Sequence, residues 1–346
     1  MIRSHTPRLP KAIARAALLL AAIAASSFGL SHSAAAEGLV IGIAKLASAG
    51  PVFVAIDRGY FTEQGFEPVL KYFEAAQPIA VAAASGDIDV GATGLTAGFY
   101  NMAGQGVLKI VAGQSHEKPG YQSNAVIASL NGFNGGLKSL ENLAGKSIGI
   151  AAVGSTTHYA LGLIAEKYRI DLKAIRIVPL QTIPNMVSAL RGGQIDGLVV
   201  PSTAAMPLLR DGQAKLLGYV GDETPWQIGA VFTSSKTALE KRDFVTRFIT
   251  AYRKGARDFF EAFNGPSGKT VDGERAEGIL AIVSKYTGQS PATLKDIIPY
   301  VDPDARLNVK DVVKQIRWYQ AQGFIGPNVD PTVVFDMSQI VETPAP

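Results

Sequence analysis

SGDIDVG (residues 85–91) returns 107 positions later as GGQIDGL (192–198). Gly86 answers Gly193, Ile88 answers Ile195 and Asp89 answers Asp196. The segments leading in agree as well: AVAAASG (80–86) and MVSALRGG (186–193) each read as a small apolar helix stopped by glycine. Two copies are too few for a solenoid, so the repetition predicts two units of related build.

Working outward, each copy sits at the same place in a strand–helix alternation. In the first unit LVIGIAK (39–45), PVLKYFE (68–74), IDVGATG (88–94) and LKIVAGQ (108–114) read as strands. Between them lie PVFVAIDRGYFTEQG, opened by Pro51, then AQPIAVAAASG and LTAGFYNMAGQG, all read as helices. After NAVIASL (124–130) the scheme restarts. SLENLAGKS is a short helix capped by Ser139, SIGIAAVGS (147–155) a strand and TTHYALGLIAEKY a helix. IRIVPLQ (175–181), IDGLVVP (195–201) and AKLLGYV are further strands, with IPNMVSALRGG a helix among them. Such alternation predicts parallel sheets with right-handed crossovers. IGAVFTSSK (228–236) then reads as a returning strand, followed by a long amphipathic helix and more helices to about residue 322. If NAVIAS and IGAVFTS cross between the units, the second unit is an insertion in the first. The expected division is 37–124 with 230–346 as one lobe and 125–229 as the other, joined by a hinge.

The first 36 residues form a separate class. MIRSHTPRLPKAIAR carries four bases and no acid, AALLLAAIAASSFGL (16–30) is apolar, and SHSAAAEG offers small residues at Ala34 and Ala36. A basic start, a short apolar run and an A-x-A site predict an export signal cleaved after Ala36. The run is short of the roughly 20 residues of a spanning helix. Removing the four bases from the chain's 33 leaves 29, matching its 29 acids. A neutral mature chain gives no support to nucleic-acid or membrane-surface binding. The chain has no cysteine, which excludes disulfides, thiolate metal sites and thiol catalysis.

The ordered set RGYF, SGDIDVG, LENLAGKSIG and GSTTHY resembles the periplasmic binding proteins of taurine, aliphatic-sulfonate and nitrate ABC importers. That family also contains binders of thiamine-pyrimidine precursors and of aromatic acids. The resemblance runs over about residues 39–262. It implies a two-lobed type II periplasmic-binding fold, α/β, each lobe an open and mostly parallel sheet flanked by helices, the lobes joined by two hinge strands. It implies a small-molecule ligand, with a membrane permease and an ATPase as partners, no cofactor, and a monomer in the periplasm.

Open sheets bind ligands beyond the carboxyl ends of their strands. The expected cleft candidates are therefore Lys45 and Ser48 after the first strand, Gln77 after the second, Thr93 and Thr96 after the third, and Gln114 and His116 after the fourth. The second unit contributes Ser155, Thr156, Thr157 and His158, then Ser202. In GSTTH the glycine permits a turn and Ser155 or Thr156 caps a helix whose free amides suit an anion. Trp226 is either a wall for the apolar part of a ligand or core, and His158 either a donor or a packed side chain. Asp89 and Asp196 are expected to serve the framework, since a repeated acid fits strand starts and inter-element hydrogen bonds.

No nucleophile elbow, P-loop or HExxH motif is present, and two of the four histidines fall within the export signal. The pyrimidine-making enzyme distantly related to this family depends on a cysteine-rich motif that this chain lacks. The expectation is a binder, not an enzyme. Its ligand would be a sulfonate, taurine, nitrate or similar polar molecule. The alternatives are a neutral heterocycle, an aromatic acid, or service as the ligand-binding partner of a chemosensory receptor. Lys45 is the one cation among the candidates, and arginine, the usual clamp for carboxylate or phosphate, is missing from them.

Overall fold

A computed structural model describes residues 1–2, 36–265 and 268–344. The export signal expected over 1–36 thus lies, but for its ends, outside the described residues. Among the described residues no helix is long and apolar enough to cross a membrane.

Twelve strands build the two sheets and the crossings between them: β1 (Glu37–Ile43), β2 (Phe66–Tyr72), β3 (Val90–Gly94), β4 (Leu108–Gly113), β5 (Ser115–Glu117), β6 (Asn124–Ser129), β7 (Ser147–Ile150), β8 (Arg176–Pro179), β9 (Gly197–Pro201), β10 (Ala214–Tyr219), β11 (Trp226–Gln227) and β12 (Gly229–Ser234). The first sheet runs β2-β1-β3-β12-β4 and the second β10-β6-β9-β7-β8. Read backwards, the second has the order of the first, with β7, β8, β9 and β10 in the places of β1, β2, β3 and β4. In each sheet three consecutive strands are parallel. One antiparallel strand lies fourth, β12 in the first sheet and β6 in the second. That strand is in each case the one by which the chain arrives from the other sheet. Beside these crossings β5 pairs with β11 and with Tyr300–Val301 in a small antiparallel sheet.

The repeated residues explain the repeated topology. The Asp89 carboxylate accepts from the Val40 amide at 2.8 Å, and the Asp196 carboxylate from the Ser147 amide at 2.8 Å. Backbone bonds run the other way, Asp89 N to Val40 O and Asp196 N to Ser147 O, each 2.9 Å. Each aspartate therefore fastens the loop before the third strand of its sheet to the first strand, as framework. Ile88 and Ile195 cover the same strands one residue earlier. An added Cβ at Gly42 would lie 2.3 Å from Ile88 Cδ1, and one at Gly149 2.7 Å from Ile195 Cδ1. Leu39, Ile41 and Ile43 are wholly buried. These three share one face of β1; on the other, Gly42 is covered by Ile88, so the strand is packed on both sides, as a parallel sheet requires.

Among the described residues nine helices have eight or more residues: α1 (Gly50–Asp57), α2 (Ala76–Ser85), α3 (Ala97–Gly104), α4 (Thr156–Lys167), α5 (Ile183–Arg191), α6 (Ser202–Arg210), α7 (Arg242–Phe263), α8 (Glu274–Thr287) and α9 (Val309–Ala321). Three elements differ from the sequence reading. The helix opened by Pro51 stops at Asp57, because Gly59 takes φ +74° and only one turn follows, Tyr60–Glu63. The strand expected to reach residue 155 ends at Ile150. Beyond it the Ala151 and Ala152 amides turn to the hydroxyls of Thr157 (2.9 Å) and Ser155 (3.3 Å), which removes them from ladder pairing. SLENLAGKS forms only a single 3-10 turn, Leu140–Asn142, though Ser139 caps it as expected.

Candidate functional site: a cavity between the two sheets

A cavity of about 1140 Å³ is lined by the loops leaving β1, β2, β3 and β4 of the first sheet and β7, β8 and β9 of the second. All lie at carboxyl ends of strands, where side chains converge without being consumed by the ladder. At one end of the cavity the halves touch. Ala97 N donates to Gly154 O at 2.8 Å, and an added Cβ on Gly94 would lie 2.6 Å from Thr156 Cγ2.

Nine of the thirteen residues picked from the sequence line this space: Lys45, Ser48, Gln77, Thr93, Thr96, Gln114, Ser155, Thr156 and Thr157. They divide by what their polar atoms already do. Thr96 caps α3, accepting from Phe99 N at 3.1 Å, and donates to Gln77 Oε1 at 2.5 Å. Ser155 caps α4, accepting from His158 N at 3.3 Å, and its hydroxyl lies 2.9 Å from that of Thr157. These hydroxyls are committed to the protein. The side chains of Ser48, Thr93, Gln114 and Thr156 form no hydrogen bond with any described residue and face the cavity. Lys45 is exposed, with Nζ 4.9 Å from the centre of the Tyr72 ring. The Thr156 and Thr157 amides, first in α4, precede the intrahelical ladder and remain available.

His116, His158, Ser202 and Trp226 do not line the cavity. Each is taken up by packing. His158 is 3% exposed, accepts from Gly154 N at Nδ1 (3.1 Å) and packs on Trp318 and Phe324. Burial lowers it to about 4, so it stays neutral and holds the turn before α4. His116 lies edge-on to Tyr300, and burial lowers it likewise to about 4. Trp226 packs on Tyr159 with ring centres 4.8 Å apart, in core beside the crossing strands. Ser202 is 1% exposed at the start of α6, and its amide donates to Ser123 O at 2.9 Å. Burial, which sequence spacing does not display, decides all four.

The structure also adds residues. Gln181, Thr182, Ile183, Pro184 and Val187 line the cavity after β8. Shifting residues 74–78, the loop that holds the candidate Gln77, by the 107-residue repeat gives Gln181–Asn185, so the repeat itself carried that signal. Gln181 has φ +69°, a left-handed conformation uncommon without glycine, in keeping with a constrained site loop. Arg191 reaches the lining too, giving the site the arginine that the sequence candidates lacked, although its Nε is engaged by Gln213 at 2.7 Å. Ile297, Pro299 and Phe324 come from the distant end of the chain, where no local pattern marks them. Among the described residues no three His, Cys, Asp or Glu side chains are grouped to hold a metal ion.

The fold is shared with solved proteins at low identity. The ligand-binding component of an ABC-type import system from Staphylococcus aureus, solved with zinc bound, is 15% identical with TM-score 0.68, over 88% of this chain and 99% of that one. The alkanesulfonate-binding protein SsuA from Xanthomonas axonopodis pv. citri, bound to MOPS, is 17% identical with TM-score 0.67, over 88% and 98%. The periplasmic nitrate-binding protein NrtA from Synechocystis PCC 6803 is 10% identical with TM-score 0.65, over 87% and 85%. No curated protein matches the chain in sequence. The sequence pattern of one family, described as NMT1/THI5 like, matches residues 47–262, well over half of the chain, and the protein belongs to that family.

Proposed function

We propose that this protein is the solute-binding component of an ABC importer. A signal over residues 1–36, cleaved near Ala36, sends it to the periplasm, where it works as a monomer. It takes a small molecule between a lobe formed by 37–124 with 230–346 and an inserted lobe formed by 125–229. It then delivers the molecule to a membrane permease and its ATPase without changing it chemically. The observation that carries this reading is the cavity itself, built from strand-end loops of both sheets. A ligand there touches both halves, so its binding energy favours whichever arrangement brings them together.

The polar end of the ligand is held where donors are free. The Thr156 and Thr157 amides open α4, whose dipole favours negative charge. Thr93 and Gln114 face the same space from the first sheet, and Lys45 supplies an exposed cation. The solutes named for the structural relatives, an alkanesulfonate and nitrate, both accept hydrogen bonds in this way. A thermal-shift screen of the mature protein against sulfonates, nitrate, aromatic acids and neutral heterocycles tests the reading. A ligand at one hundred times its Kd adds about 2.7 kcal/mol of stability. A screen in which no compound raises the melting temperature would contradict it.

A further inference from the structure

We infer, taking the solute-binding reading as given, that this cavity takes a bulky ligand with a largely hydrocarbon, ring-sized body and one hydrogen-bond-accepting end, rather than a small inorganic or short-chain anion. Size is the first reason. Pockets for drug-sized ligands measure roughly 300–1,000 Å³, and this one is about 1140 Å³. A four-atom oxyanion would leave most of that space as water against apolar walls, which is unfavourable.

The lining is the second reason. Tyr72, from the end of β2, is 39% exposed and Val153, from the loop after β7, is 55% exposed. Large apolar side chains left uncovered on both halves of one cavity mark a ligand wall more than a solvated surface. Ile183 and Val187, each half-buried on α5, and Phe324 continue that wall. Around it alanines such as Ala75, Ala92, Ala152 and Ala204 keep the room open.

Charge is the third reason. Lys45, Glu74 and Arg191 are the charged side chains of the lining, and all three are exposed. The buried polar side chains of the lining, Thr93, Thr96, Gln114, Ser115, Ser155 and Thr157, are all uncharged. A compact anion taken deep into such a space would lack a buried counter-charge, a costly arrangement. An acceptor on an apolar body can instead sit at the amides opening α4 while the body covers the wall.

The test is calorimetric titration of the mature protein with nitrate, ethanesulfonate, benzenesulfonate and naphthalene-2-sulfonate, and with uncharged naphthalene-2-carboxamide. Affinity is expected to rise along the sulfonates, roughly fifty-fold from ethanesulfonate to naphthalene-2-sulfonate. Val187→Asp and Val153→Asp, each checked for an unaltered circular dichroism spectrum, are expected to weaken the naphthalene probes tenfold or more. Val153 is exposed enough that its variant should fold even if the Val187 variant does not. Nitrate or ethanesulfonate binding as tightly as the naphthalene probes would overturn the bulky-ligand inference and leave solute binding intact. Folded aspartate variants with unaltered naphthalene affinity would overturn it too. Failure of every probe to bind at millimolar concentration would remove both.

Discussion

Ser155 and Thr93 both line the cavity, yet their hydroxyls have different duties. Ser155 accepts from His158 N and from Ala152 N, so it belongs to the start of α4. The Thr93 hydroxyl bonds to no described residue and is free to meet a ligand. Ser155→Ala is therefore expected to cost about 1 kcal/mol of stability, the usual loss for a helix cap, with only a small change in affinity. Thr93→Val, which keeps the shape, should leave the melting temperature near wild type and weaken ligand binding up to about tenfold. Calorimetry and thermal melts on the two variants check this, and an exchange of their effects would be the contrary result. Glu117 adds a pH dependence of its own, opposite in sign to that of the buried His116 and His158. It is 2% exposed in β5, and burial pushes its carboxyl up to about 8, against the hydrogen bond it accepts from Asn124. The folded protein thus holds a proton that the unfolded chain releases near its ordinary 4.5. Stability from this group is complete at low pH and is lost as pH rises through the window between those values. Glu117→Gln removes the titration, so its melting temperature should exceed wild type by a few degrees at pH 8.5 and by less at pH 5. An equal difference at both values would show that Glu117 does not titrate in this way.

At the scale of elements, the paired aspartates make the sharpest case. Asp89 and Asp196 occupy equivalent corners of the two sheets, and Asp196 accepts in addition from the Ser147 hydroxyl at 2.7 Å. Hydrogen bonds to a carboxylate contribute about 1.5–3 kcal/mol. Asp89→Ala and Asp196→Ala should each lower stability by that order, the second more, without altering affinity. Denaturant melts with parallel titrations decide it, and a loss of binding at unchanged stability would make these residues ligand contacts after all. Local pattern made most of this layer legible. Buried strands such as LVIGI announce themselves by composition, and the glycine-stopped helices by Gly86 and Gly193, both at positive φ. The cavity loops on GSTTH and after β3 followed from strand-end geometry. What did not follow was packing over long range. Trp318 on α9 fills the space over Gly162 of α4, and the Tyr319 hydroxyl donates to Ser155 O at 3.1 Å. That helix brings His158 into an apolar nest, and nothing near residue 158 in the chain says so.

The two sheets repeat one topology, the second built from the continuous segment 124–219 and the first from 37–113 with the returning strand β12. On the proposed reading, the halves move against each other about the segments that lead into β6 and β12, where the chain passes between the sheets, so that both ladders stay whole. α9 spans the same region. Gln315 takes a hydrogen bond from Tyr100 of α3 at 2.9 Å and gives one to Gln227 O at 2.7 Å, while Trp318 packs on α4. The hydrogen bond from Ala97 N to Gly154 O is a place where the two halves meet beside the cavity. Solution scattering of the mature protein, alone and saturated with a ligand found in the thermal screen, examines this most directly. A smaller radius of gyration with ligand, and the ligand recovered chemically unchanged, is the predicted result. An identical radius at saturation, or a ligand returned as a different compound, would contradict it.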